Sequence, residues 1–215
     1  MATFTIDLRA IKACAIAASN EETRYYLNGV RVEHTPAGPV FVATDNARLI
    51  AARHNWRGDT GAPKAFAPFI VPLSLIKRIK VGARGSNDAT VTLATVVNNV
   101  LQISIAHNGV TYTEGGINAT YPNWRAVVPR DDASGELAHY DFKLLATFAE
   151  ATKALHGRGD FRPFVAHNGP NNPAMVDLLA GSGAPIEAFG VIMPIRDRRN
   201  APLTRAPAWT APAAE

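Results

Sequence analysis

The chain has 215 residues, enough to bury a sizeable core as one large domain or two small ones. Its 47% hydrophobic and 19% charged shares exclude wholesale disorder, and its net charge of +4 permits an anionic partner without requiring one. The single cysteine, Cys14, excludes an internal disulfide framework and a multi-cysteine metal site.

In chain order, the N-terminal stretch carries Asp7, Arg9 and Lys12 where a secretory signal would be apolar, and no run approaches the ~20 residues of a membrane span. A cytoplasmic protein is expected. Three segments, at residues 4–19, 69–83 and 138–155, then share one opening: a short β-type run, an Asp or Pro, and a large apolar residue. Asp7-Leu8, Pro72-Leu73 and Asp141-Phe142 therefore read as strand-into-helix junctions, because Asp caps a helix and Pro suits its first position. Each helix is followed by strand-like sequence with an Asn-Gly pair: Asn28-Gly29, Asn108-Gly109 and Asn168-Gly169, which favour tight hairpins. Residues 91–113 alternate well enough for two strands and the start of a third, and residues 186–196 read as a last strand.

The expected fold class is α+β: three βαβββ units, about 2–57, 66–130 and 136–196, with antiparallel sheets and helices on one face. Two units make a domain over 1–130, the third stands over 136–196, and the Pro- and Ala-rich tail 197–215 is expected to be disordered. The helices point Leu8, Ile11 and Ala15, then Leu73, Ile76 and Ile79, then Leu144, Leu145, Phe148 and Leu155 inward. Arg9, Lys12, Lys77, Arg78 and Lys143 fall outside, with Arg24 and Tyr25 on a nearby loop. For one helix a solvated face is the simpler explanation; repeated basic faces suggest a surface that tracks phosphates without reading bases.

Four short motifs are more specific. Residues 23–30 (TRYYLNGV) and 42–49 (VATDNARL) resemble paired segments of the middle domain of bacterial beta sliding clamps, the second of which usually reads ATDGHRLA. Residues 121–129 (YPNWRAVVP) resemble the FPDYRRVLP-like segment closing that domain, and residues 191–196 (VIMPIR) the VMPMRL ending of the whole clamp. The chain is thus similar to the DNA polymerase III beta subunit family over roughly residues 2–196, as the middle domain plus the second half of the last.

The resemblance implies a DNA-clamp-like fold and a non-catalytic processivity factor that encircles duplex DNA. It also implies a shallow pocket for short peptides of polymerases, the clamp loader and repair proteins. Leu27, Thr44, Arg48, Leu49, Pro122, Val127, Val191, Met193 and Pro194 would form that pocket. Arg48 best separates pocket from core, since a core alone gives an arginine no reason to sit at an apolar strand end. The same segments could be plain core strands. Asn46-Ala47 replace the family's Gly-His, and Ala126 its second Arg, so the pocket rim and peptide preference are expected to differ.

Family rings contain twelve βαβββ units, so three units per chain imply a homo-oligomer, a tetramer if a ring closes. A clamp-like peptide-binding adaptor that closes no ring is the alternative. An unrelated enzyme has little to build on: the six histidines lack metal-ligand spacing, and no P-loop, GxSxG or dinucleotide fingerprint occurs. Cys14 in an Ala-rich helix reads as packing, and no metal or cofactor is expected.

Overall fold

The structure is a computed structural model and describes residues 2–56, 65–82, 86–95, 100–130, 134–157, 162–180 and 183–195. Arg196, the tail 197–215 and most of the segment between the first two units lie outside the described residues.

The first unit runs β1 (Ala2–Asp7), α1 (Leu8–Ala15), β2 (Gly29–Glu33), β3 (Val40–Thr44) and β4 (Arg48–His54). The second runs β5 (Phe69–Pro72), α2 (Leu73–Arg78), β6 (Asp88–Thr95), β7 (Leu101–His107) and β8 (Val110–Gly115). The third supplies α3 (Phe142–His156), β9 (Phe164–Ala166), β10 (Ala174–Ala180) and β11 (Ile186–Ile192). All three expected helices form. Asp7 and Asp141 cap theirs through bonds from the Arg9 and Lys143 amides, at 2.9 and 2.7 Å. Pro72 ends β5 at the cap position of α2, with no side-chain bond to give.

Each unit lends its first strand to the other. β1 joins β6, β7 and β8 in a four-stranded sheet, while β5 joins β2, β3 and β4. The second sheet does not stop there. β11 pairs antiparallel with β4 from Ile186↔His54 to Ile192↔Arg48, giving the seven-stranded order β5-β2-β3-β4-β11-β10-β9. The third unit therefore extends the first unit's sheet, and α3 packs on α1.

Both faces of this sheet are buried near its centre. On the inner face Ile50, Ala52, Ala188 and Ile192 meet Leu8, Ile11, Phe148 and Leu155 of the helices in the main core. Gly190 allows this contact: a Cβ there would collide with the Phe148 ring, which is fully buried. On the outer face the segment after β8 turns back across the strands. It is held by Ile117 N–H to Ile70 O at 3.1 Å, and its Tyr121 and Trp124 are buried with Leu27, Val42, Leu49 and Val191. Cys14 is buried, its thiol 3.4 Å from Phe41 O and pushed up by burial, which suits packing.

Several expectations need correction. Of the three Asn-Gly pairs only Asn108-Gly109 makes a tight hairpin, with φ of 48° and 76° between β7 and β8. Asn28-Gly29 leads out of a 3-10 turn (Glu22–Leu27) into β2, and Gly29 is needed because Val71 O and the Ile70 side chain leave no room for a Cβ. Asn168-Gly169 lies in a longer loop, where Asn168 donates to Pro173 O at 3.2 Å. The strand expected before α3 shrinks to a single bridge, His139 with Ile195, since no full-length strand lies beside it among the described residues. Leu144 and Leu145 are only partly covered, while Ala151 and Thr152 are buried in their place.

Candidate functional site

The turn between β3 and β4 positions the site. Asp45 Oδ1 accepts from the amides of Ala47 and Arg48, both at 3.0 Å, and Thr44 Oγ1 donates to Arg48 O at 2.7 Å. Asn46 sits at φ 76°, in the left-handed region that glycine enters freely and asparagine tolerates. The replacement of the family's glycine is therefore conformationally conservative, although it adds a side chain to the rim. Ala47 O accepts from Met193 N at 2.8 Å, which ties the end of the third unit to this turn.

At that junction a cavity of about 100 Å3 opens, lined by Thr44, Asn46, Arg48, Leu49, Pro122, Asn123, Trp124, Val127, Val191 and Met193. Its size suits one aliphatic side chain. Seven of the nine expected pocket residues meet here from three separate stretches of chain: Thr44, Arg48, Leu49, Pro122, Val127, Val191 and Met193. Leu27 lies beneath, fully buried among Leu49, Val191 and Trp124, and supports the floor without touching solvent. Pro194 follows Met193 and is outside the lining. Asn46 stands at the rim, as its replacement of the family's glycine implies, while Asn123 and Trp124 are additions to the expected set; Trp124 stands where the family's closing motif carries tyrosine, and that aromatic position is the signal in the sequence.

Arg48 departs from expectation in its rationale. It does line the pocket, but its Nε donates to Asp45 Oδ2 at 3.0 Å and its Nη1 to Thr147 Oγ1 on α3. Folding thus gives this arginine ample reason to be there, and it does not by itself separate pocket from core.

Glu33 fixes the opposite wall. Its carboxylate takes Arg31 at 2.6 Å, Arg125 at 2.7 Å and the Trp124 indole N–H at 3.3 Å, while the Arg125 guanidinium lies 4.2 Å over the Trp124 ring. Burial pushes Glu33 up, but the bonds from Arg125, Arg31 and Trp124 outweigh it and hold the carboxyl below its ordinary range.

The expected phosphate-facing residues separate into two groups. A cleft of about 970 Å3 between the helices is lined by Arg9, Lys12 and Lys77, joined by Lys80, Lys153, Glu150 and His156. Two of its cations are already engaged: Arg9 makes a forked pair with Asp7, and Lys12 Nζ donates to Ile76 O at 2.7 Å. Burial lowers the Lys12 pKa accordingly. Lys77, Lys80 and Lys153 form no ion pair among the described residues. Arg78 instead turns to Glu114 on β8 at 2.9 Å, because it leaves α2 on the side facing the four-stranded sheet. Lys143 is exposed at the other end of α3, outside the cleft lining. Tyr25 lies exposed and Arg24 half-buried on the 3-10 turn, Arg24 3.4 Å from Glu21, and both also fall outside it. Among the described residues no group of three His, Cys, Asp or Glu could hold a metal, and no helix is long and apolar enough to cross a membrane.

Two-unit swapped sheets with helices on one side, extended by a third unit across a strand junction, define a protein of the DNA-clamp fold. Residues 6–123, more than half of the chain, match the family model described as DNA polymerase III beta subunit, central domain. The chain belongs to that family, a family of non-catalytic scaffolds. It is 28% identical over 130 residues to the beta sliding clamp of Treponema pallidum, covering 60% of this chain and 33% of that protein. Among solved structures it is similar to the Pseudomonas aeruginosa sliding clamp solved with ligand, at a TM-score of 0.60 and 17% identity over 91% of this chain and 66% of that one. The Streptococcus pneumoniae beta chain gives 0.62 and 13%, over 92% and 65%. The chain thus spans about a third of the curated clamp and about two thirds of the solved ones.

Proposed function

We propose that this protein is a clamp-type docking adaptor, which holds partner proteins by a short peptide seated at the β4–β11 junction. The observation that carries the reading is the pocket itself: residues 44–49, 122–127 and 191–193, distant in sequence, converge on one cavity with apolar walls and a polar rim. The partners would be polymerases, a clamp loader or repair proteins bearing a QL-x-LF-type segment, acting in the cytoplasm. The two-unit domain over 1–130 would supply one wall and the unit over 136–196 the other, through Val191 and Met193.

Duplex DNA is the second partner in this reading. Lys77, Lys80 and Lys153 offer charge to phosphates in a cleft that has no base-reading element, so contact would be independent of sequence. Encirclement by a homo-oligomeric ring is the further reading, favoured by the sheet edges, β1 and β8 of one sheet and β5 and β9 of the other, which pair on one side only among the described residues. Catalysis plays no part.

Titration calorimetry with a QL-x-LF peptide tests the docking reading. Met193 is 37% exposed and its truncation should cost the fold little, whereas Leu49 is buried at 2% and Leu49→Ala would also open the core. Met193→Ala should weaken binding by about 1–2 kcal/mol, the scale of an interface anchor. Absence of binding at millimolar peptide removes the proposal.

A further inference from the structure

Arg48 reaches the pocket from β4, yet half of what fixes its guanidinium comes from another unit. Nε donates to Asp45 Oδ2 at 3.0 Å, within the turn between β3 and β4. Nη1 donates across the junction to Thr147 Oγ1 on α3, 99 residues away in sequence. Two acceptors on two different nitrogens fix both the position and the plane of a guanidinium. Nη2 makes no bond among the described residues and is not sealed from solvent. The side chain as a whole is only 12% exposed and lines the cavity of about 100 Å3.

Thr147 is itself prepared for this contact. Its hydroxyl donates to Leu144 O at 2.6 Å, so its one hydrogen is spent and it meets Arg48 as an acceptor. The next residue, Phe148, is fully buried against Gly190, where a Cβ would collide with its ring. α3 therefore cannot turn or slide here without unseating a core side chain. The units do not need the Thr147 hydroxyl to stay joined. The β4–β11 ladder spans Arg48 to His54, and Met193 N donates to Ala47 O at 2.8 Å. What the hydroxyl adds is the placement of the guanidinium.

We propose that Thr147 is a positioning residue of the docking pocket. Its hydroxyl holds the Arg48 guanidinium in place, which keeps the cavity open and leaves Nη2 for the docked peptide. Released, this long side chain would compete with the peptide for so small a cavity. The inference rests on the docking reading and deepens it: the third unit sets the pocket's polar group as well as one apolar wall.

Valine matches threonine in shape and is equally β-branched, so Thr147→Val removes the acceptor and little else. Anisotropy of a labelled QL-x-LF peptide on the full chain should show Thr147→Val binding about fivefold more weakly, the scale of one hydrogen bond. Thr147→Ser, which keeps the hydroxyl, should bind within about twofold of the parent. In an Arg48→Met background Thr147→Val should cost nothing further, as two residues acting through one bond require. In the protein without peptide, the Arg48 Nε–H resonance should shift or broaden in Thr147→Val and stay in place in Thr147→Ser. An equal loss in both backgrounds, a loss shared by the Ser variant, or parental affinity in Thr147→Val while the parent binds overturns this role and leaves the docking reading standing. If the parent does not bind at millimolar peptide, both fall.

Discussion

Trp124 is the residue on which the site turns, and Glu33 holds it there. The folded Glu33 carboxyl titrates below its ordinary value of about 4.3, because bonds from Arg125, Arg31 and Trp124 overcome the upward push of burial. A group depressed on folding contributes stability above its unfolded pKa and loses it as pH falls through the folded value. Glu33→Gln should therefore lower stability at pH 7 by about 1–3 kcal/mol, as expected for lost charge-assisted bonds. It should also flatten the fall in stability below about pH 4. Urea unfolding of both proteins from pH 3 to 7 checks this, and parallel pH profiles would mean that the carboxylate does not hold the wall. None of this network was legible in the sequence. Glu33 lies in β2, some ninety residues from Trp124, and no local pattern announces a long-range ion pair. Arg48 was legible as a pocket residue through its motif but not in its bonds, since Thr147 belongs to another unit.

At the level of elements, strand-to-helix junctions were readable because capping is local: Asp7 and Asp141 bond amides two residues ahead. Asn-Gly was a weaker guide. It made a hairpin where two strands follow each other directly, at Asn108-Gly109, and served other needs at Gly29, where tertiary packing forbids a Cβ. Helix faces were readable only as exposed or buried. Which exposed cations meet depends on how the helices cross, so Lys80 and Lys153 join Lys77 in one cleft while Arg78 is taken up by Glu114. The cleft reading makes a selective forecast. Lys77→Gln, Lys80→Gln and Lys153→Gln should each weaken binding to unrelated duplexes alike and reduce the log–log salt slope by about one. Arg78→Gln and Lys143→Gln should change both much less. Anisotropy titrations at several salt concentrations measure it, and equal losses for all five would mean that charge anywhere on the surface suffices.

For the whole molecule, the repeated βαβββ order was visible in the sequence, but the exchange of first strands and the β4–β11 continuation were not, because strand pairing is non-local. These pairings set the assembly question. Among the described residues β9 pairs only with β10 and carries Phe164 at 64% exposure, and Phe142 at the start of α3 is 85% exposed. Edges and patches of this kind are sites of self-association. Light scattering at micromolar concentration should give a mass above that of one chain, four chains if the ring closes, while a stable monomer leaves the open adaptor alone. The central claim is nevertheless the pocket, whatever the assembly. Its most direct test is amide chemical-shift mapping during titration with a QL-x-LF peptide. The account predicts saturable shifts concentrated at residues 44–49, 123–127 and 191–193, with little change in the helices that line the basic cleft; shifts confined to other surfaces, or none at millimolar peptide, would contradict it.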